Sequence, residues 1–378
     1  MDSLCIDGVP IAIAYVMCSR IVSETGGDCI YVARGLGPIV GAVAGVLMWV
    51  AYIYIIAAIA RGVSRYVVST NNILAEIIVA AAVIWSLTLI NIVGVKVGGK
   101  INTILTISKI VPLVIFSAFV AIKAVLGSLP NVAQNDLGID ERKDLFYAVA
   151  ATLWAYLGFE SASTPTKEVK KSSYVYTAIL VSMVVVTVLY LAVSGAALAA
   201  LPWTILANAK APLYEAAKAV GGEALATIIY CGAFVSMMGC LAACILSNAR
   251  RGYALAIDGV LPKFLSTLSI RGVPARMLLL QGFVATIFAV AMNFVSLYLV
   301  ADFASLVPYL LVALALPRLY KGSSKFVGAL IVGIIAACSS LFLMMMVASS
   351  EPQTVAVGAA LAMIVAFVSA IRRIKARR

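Results

Sequence analysis

Long apolar runs separated by short polar links dominate the chain. A lipid-spanning helix needs about 20 apolar residues, at about 1.5 Å of rise each, to cross a hydrocarbon core of ~30 Å. Runs at roughly 37–59, 73–95, 101–126, 145–163, 175–201, 223–255, 275–293, 297–319, 326–347 and 354–371 meet that length. A further run at 9–22 is too short to span and has the form of the second half of a helix. The pattern predicts an all-α polytopic membrane protein with about ten full spans and one partial one.

The polar links orient these spans. With the C-terminus placed in the cytoplasm and the runs alternated backwards, most of the 28 basic residues fall on the cytoplasmic side, by roughly three to one. They include Lys167, Lys170 and Lys171, Arg250 and Arg251, and the tail from Arg372 to Arg378. The longest link expected outside is acidic instead, with Asp136, Asp140, Glu141 and Asp144. The same rule accounts for the tail, whose cluster also suits anionic lipid.

Composition changes the picture by exclusion. Hydrophobic residues make up 63% of the 378 and charged ones 12%, against about 25% charged in soluble domains. No soluble fold of this size hides so much apolar surface. The net charge of +12 follows from the orientation of the loops, so no nucleic-acid partner is expected. Histidine is absent and seven cysteines are scattered through the runs. Cys240 and Cys244 share a helix face but lack further ligands, so they are taken as small packing residues, and neither metal nor cofactor is expected. Gly37, Gly41 and Gly45 recur at the four-residue spacing that lets a neighbouring helix approach.

Charge within an apolar run is the strongest functional signal, because a charged side chain at the bilayer centre costs at least about 2.5–3.5 kcal/mol. Lys109 lies about eight residues into its run, ~12 Å deep. It is either structural glue to backbone carbonyls or a fixed cation beside an ion or substrate pathway. The segment Trp154-Ala155-Tyr156-Leu157-Gly158-Phe159-Glu160-Ser161, followed by Pro165, interrupts an apolar run with glycine, a carboxylate and hydroxyls. It predicts a broken helix whose backbone faces a water-filled cavity, the plain alternative being a proline kink. Glu160 must pair, stay protonated or line water. Asp302 is expected at a solvated outer helix end, and Glu76 is a weaker candidate still.

Five segments, in order along most of the chain, resemble the amino acid–polyamine–organocation superfamily of permeases. Glu24-Thr25-Gly26-Gly27-Asp28-Cys29-Ile30-Tyr31 resembles its loop after the second helix, although Glu24 stands where the family has proline. Asn91 to Lys96 resembles the end of its fourth helix, and Trp154 to Ser161 with Glu168-Val169-Lys170 resembles its sixth and the basic stretch beyond. Ser247 to Arg251 with Asp258-Gly259-Val260-Leu261-Pro262 resembles the end of its eighth, and Pro274 then opens the ninth.

The resemblance implies a LeuT-like inverted-repeat fold of five plus five helices with two trailing C-terminal helices. It would form a single permease domain over 1–378: an incomplete first repeat in 1–126, the second in 145–319, and trailing helices in 326–371. It implies a cell-membrane secondary transporter, not an enzyme, moving an amino acid or amine, and a monomer or weak homo-oligomer. The carbonyls of Trp154, Ala155 and Leu157 would meet a substrate ammonium, with Tyr156, Gly158, Phe159 and Glu160 shaping the unwound turn. Lys109 matches a lysine that takes the place of sodium in sodium-independent members, which implies proton coupling or exchange.

The family's first helix, whose glycine-rich break holds the substrate carboxylate, and the start of its second have no counterpart in these 378 residues. A competing reading is therefore a non-transporting or decayed paralogue acting as a scaffold. An intramembrane enzyme ranks below both, for want of histidine or a pair of intramembrane acids. The transporter reading expects an in-frame upstream stretch of about 50 residues, about two spans less what is present. The protein expressed from its native locus would then exceed 39.6 kDa by about 5–6 kDa in intact-mass measurement, and upstream stop codons would overturn it.

Overall fold

The computed structural model describes residues 4–22, 27–68, 72–93, 99–129, 142–160 and 173–377. Glu24 to Gly26, Lys96, the acidic link with Asp136, Asp140 and Glu141, and Ser161, Pro165, Lys167, Glu168, Lys170 and Lys171 lie outside them. Among the described residues there are thirteen α-helices. They are α1 (Leu4–Ile21), α2 (Asp28–Leu36), α3 (Pro38–Val67), α4 (Ile73–Val93), α5 (Gly99–Val125), α6 (Arg142–Tyr156) and α7 (Ser173–Ala200). Then follow α8 (Trp203–Asn208), α9 (Pro212–Ile257), α10 (Ala275–Ala291), α11 (Phe294–Leu319), α12 (Phe326–Ser350) and α13 (Pro352–Arg377).

Every predicted run has its helix, and the starts follow from local chemistry. Proline opens α3, α9 and α13 at first-turn positions, where its missing N–H would be unpaired anyway. The Asn72 side chain accepts from the N–H groups of Leu74 and Ala75 at 3.0 and 3.2 Å, and Asn293 accepts from Ser296 N–H at 2.8 Å. Both are N-caps that satisfy otherwise orphaned donors.

Eight helices are long and apolar enough to span, against the ten runs expected. The difference lies in α10, which has 17 residues, and α6, which has 15 because it stops at Tyr156 rather than continuing to 163. Three smaller features lie within the expected links: α2, α8, and the opening turns of α9, set off by non-helical backbone at Gly222 (φ 71°).

Two helices form the interior. The most apolar stretch of α3 is 83% buried and that of α11 is 72% buried, whereas α4, α7 and α9 reach 17%. Large side chains such as Ile73, Ile78, Val184, Val188 and Phe367 stand exposed on the outer helices. That inversion suits a lipid solvent and no aqueous one. The helices cross between two ends. At the α2 end, Tyr320 of α11 donates to the Met17 carbonyl of α1 at 3.1 Å. At the α8 end, Tyr147 of α6 reaches Glu351 between α12 and α13 at 3.2 Å.

Of the three glycines spaced for packing, Gly41 touches Ala33 and Gly45 touches Leu255 and Cys29. Gly37 instead takes φ +100° in the turn between α2 and α3, a conformation that disfavours other residues. The tightest approach between spans near the α2 end is at Gly252 of α9, where a β-carbon would fall 2.5 Å from Trp49 Nε1 and 2.6 Å from Met277 Sδ. Gly252→Ala is expected to cost about 1–3 kcal/mol by overpacking. Gly328→Ala, in open space on α12, is expected to cost nothing. Thermal unfolding of the two variants in one detergent checks the contrast.

Candidate functional site

The α6 helix unwinds where its sequence is interrupted. Leu157 N–H still donates to the carbonyls of Leu153 and Trp154 at 3.2 and 3.3 Å. Gly158 then adopts φ +114°, which ends the helix, because residues with a side chain rarely take that conformation. Unwinding inside a bundle frees backbone groups that lipid cannot satisfy. Glu160 answers part of that demand. Its carboxylate, fully buried, turns back to accept the Gly158 N–H at 3.0 Å. It also accepts the Tyr52 hydroxyl of α3 at 2.6 Å and the Tyr309 hydroxyl of α11 at 2.8 Å. One side chain thus joins the unwound turn to both interior helices through hydrogen bonds.

The arrangement extends toward the α2 end. The Arg251 guanidinium of α9 lies over the Tyr52 ring at 4.5 Å and 3.9 Å from the buried carboxylate of Asp28. Burial pushes the Asp28 carboxyl up from its ordinary 3.8 to about 6, against the downward pull of Arg251. Tyr15 of α1 meets the rings of Phe159 and Tyr309 edge-on at 5.4 and 5.6 Å, so Phe159 packs into an aromatic cluster.

On the opposite side of the unwound turn lies a cavity of about 260 Å³. Trp154, Ala155, Leu157 and Gly158 form one wall; Tyr52, Ile55 and Ile59 of α3, Tyr190 of α7, and Cys240 and Cys244 of α9 complete it. Tyr190 donates to the Ala155 carbonyl at 3.0 Å, and that oxygen keeps a second lone pair. Tyr156 turns away, its hydroxyl donating to Thr187 at 2.9 Å. Lys109 lies against α9, its Nζ 3.2 Å from the place a β-carbon on Gly239 would occupy. It is within electrostatic reach of Cys240.

Of the residues singled out from sequence, Trp154, Ala155, Leu157 and Gly158 meet at the cavity, Glu160 and Phe159 brace the turn from behind, and Lys109 stands beside the α9 wall. Missing from that reading were Tyr52, Tyr190 and Tyr309, whose signal was a hydroxyl within a run otherwise built to exclude water. Cys240 and Cys244 line the cavity as well as packing. Glu76 lies 3.7 Å from Arg61 and 4.0 Å from Lys210, a mixed-charge cluster at the α8 end.

The expectation for Asp302 fails. The residue is fully buried, not solvated, because it falls on the face of α11 that packs inward, eight residues beyond the helix start.

The fold and this unwound site define a polytopic helical membrane protein built around a broken helix. The amino acid permease family model matches residues 4–371, and the chain belongs to that family. Its members are membrane transporters and not enzymes. The chain is 26% identical to an arginine/ornithine antiporter of Pseudomonas aeruginosa, over 60% of this chain and 48% of that one. It is 28% identical to a methylthioribose transporter of Bacillus subtilis, over 64% and 52%. It is also 28% identical to an uncharacterized transporter of Mycobacterium tuberculosis, over 75% and 65%. The matches thus span about half the length of the first two relatives.

A pH dependence follows from Asp28. Its folded value lies above the ordinary one, so the native state holds the proton more tightly, and stability from this group is lost as pH rises through about 6. Asp28→Asn removes that dependence. The thermal midpoint of the wild type is expected to fall relative to Asp28→Asn between about pH 4 and pH 6 and to track it above. A constant offset over that range would contradict the assignment.

Proposed function

We propose that the protein is a secondary active transporter carrying an amino acid or related amine across the cell membrane, driven by protons or by exchange. Its C-terminus lies in the cytoplasm and its α8 end faces outward. The observation that carries this reading is the small cavity against the unwound α6 turn. It is lined by Ala155 and Leu157 of the unwound turn, whose carbonyls we assign to a substrate ammonium, and it is walled elsewhere by apolar and aromatic side chains. At about 260 Å³ it sits near the lower bound of ligand pockets, about 300 Å³, which favours a ligand of amino-acid size. Among the described residues no charged side chain lines it, so we infer a substrate whose side chain is neutral. The family supports transport, and Lys109 beside the α9 wall supports independence from sodium.

Reconstitution into liposomes tests the proposal. Uptake of labelled neutral amino acids is expected to rise with an inward proton gradient, or with substrate loaded inside, and to be indifferent to sodium at fixed pH. Cys240→Phe, which fills the cavity from α9, is expected to reduce uptake at least about tenfold, the scale of 1.4 kcal/mol, while leaving the thermal midpoint near wild type. Absence of both uptake and ligand-induced stabilisation across the common amino acids would favour the scaffold reading instead.

A further inference from the structure

We propose that Asp302 is a proton-binding site, buried with its proton in this conformation and exposed to the outer end when the pocket above it opens. For its part in coupling, this rests on the transport reading above. Asp302 is 0% exposed, and neither carboxyl oxygen has a hydrogen-bond partner among the described residues. A charge held there without a partner is far costlier than a neutral acid, so the group carries a proton. It sits in a polar file: Tyr298, Asp302, Ser305 and Tyr309 follow at four-, three- and four-residue steps, which places them on one face of α11. By the helix rise, Asp302 lies about 6 Å from Tyr298 and about 10 Å from Tyr309 along the axis.

Each end of the file reaches a place of consequence. Tyr309 donates to Glu160, the carboxylate that braces the unwound turn. Tyr298 is within electrostatic reach of Asp302 and lines a second pocket of about 340 Å³ at the α8 end. Tyr298 also touches Trp154 of the central cavity, ring centroids 5.9 Å apart. The α8-end pocket holds Arg65 and Glu351, the latter accepting from Tyr147 and from Ser296 at 3.2 and 3.1 Å. Tyr298, one helical turn from Asp302, joins it to the pocket that holds Glu351, so a shift of Tyr298 would give a proton released by Asp302 a way to the outer end.

The ionisable groups on the packed elements are few. On α3 they are Arg61, Arg65 and the tyrosines Tyr52, Tyr54 and Tyr66; on α6, Tyr147 and Tyr156, with Arg142, Lys143 and Asp144 at its start; on α1, Tyr15, Cys18 and, at its ends, Cys5, Asp7 and Arg20. On α2 they are Asp28, Cys29, Tyr31 and Arg34. Besides Arg276, at the α2 end, α10 adds none. α12 contributes only Cys338, and α13 only Arg372, Arg373, Lys375 and Arg377 beyond its apolar stretch, with Glu351 between them. Among the described residues none forms an ion pair with Asp302. A metal cation in its place would need about six oxygen ligands. The Ser305 hydroxyl is turned to the Ala301 carbonyl at 2.8 Å, and no group of three acidic, cysteine or histidine residues gathers among the described residues.

Infrared spectroscopy of the purified full chain at neutral pH reads the proton without requiring transport. The wild type is expected to show a protonated-carboxyl C=O band that Asp302→Asn removes. Should that variant fail to fold, carboxyl-13C-labelled aspartate in an Asp28→Asn background must shift the same band. Lack of a protonated aspartate band in either comparison overturns the proposal. In liposomes, Asp302→Asn is expected to lose proton-driven accumulation by at least tenfold while one-for-one exchange stays within twofold. Unchanged proton-driven accumulation, or a sodium requirement that the variant abolishes, overturns the role in coupling. A wild type that shows the band but moves no amino acid rejects the transport reading and leaves the proton site standing.

Discussion

A carboxylate without water must find donors inside the protein, and the organisation around Glu160 follows from that requirement. Breaking α6 at Gly158 exposes backbone groups that a helix would have paired, and in lipid no solvent repairs the loss. The Glu160 carboxylate supplies an acceptor for one such group and takes two further donors from Tyr52 and Tyr309. These come from α3 and α11, the two helices most enclosed by others. The unwound turn is therefore tied to the rigid interior, and the cavity on its other face inherits a defined wall.

The same scarcity of water sorts the helices. Apolar character is nearly uniform along the runs and so does not say which helix is inside. Small residues and buried polar groups do. The first turns of α3 carry Gly41, Ala42, Ala44 and Gly45, and the helix buries Tyr52 and Arg61 further along; α11 buries Asp302, Ser305 and Tyr309. The outer helices turn valine, isoleucine and phenylalanine outward. Close packing in a membrane depends on small residues and polar contacts because apolar surface gains little by leaving lipid.

Charge is distributed by the same economy. Arg251 stacks on Tyr52 and approaches Asp28, so a guanidinium inside the bundle meets both an aromatic face and a carboxylate. At the α8 end, Glu351 gathers hydroxyls from Tyr147 and Ser296. Between these clusters, Asp302 alone among the buried acids of the described residues has neither hydrogen-bond donor nor cation. That contrast sets Asp302 apart from acids whose oxygens face hydroxyls or a guanidinium.

The periodicity and length of the apolar runs determined the helices, because a chain that spans lipid must satisfy its backbone within each segment. The break in α6 was legible for the same reason: glycine and a carboxylate in Leu157 to Glu160 are misplaced in a continuous apolar helix. The family was legible in short motifs kept in order. What surrounds the break was not legible. Tyr52 and Tyr309 lie 108 and 149 residues from Glu160, and nothing local to either tyrosine marks a carboxylate as its partner. Asp302 shows the limit most directly. Counted from the end of its run it belongs in solvent, but the face it occupies is decided by how α11 packs, and only the tertiary structure puts that face inside.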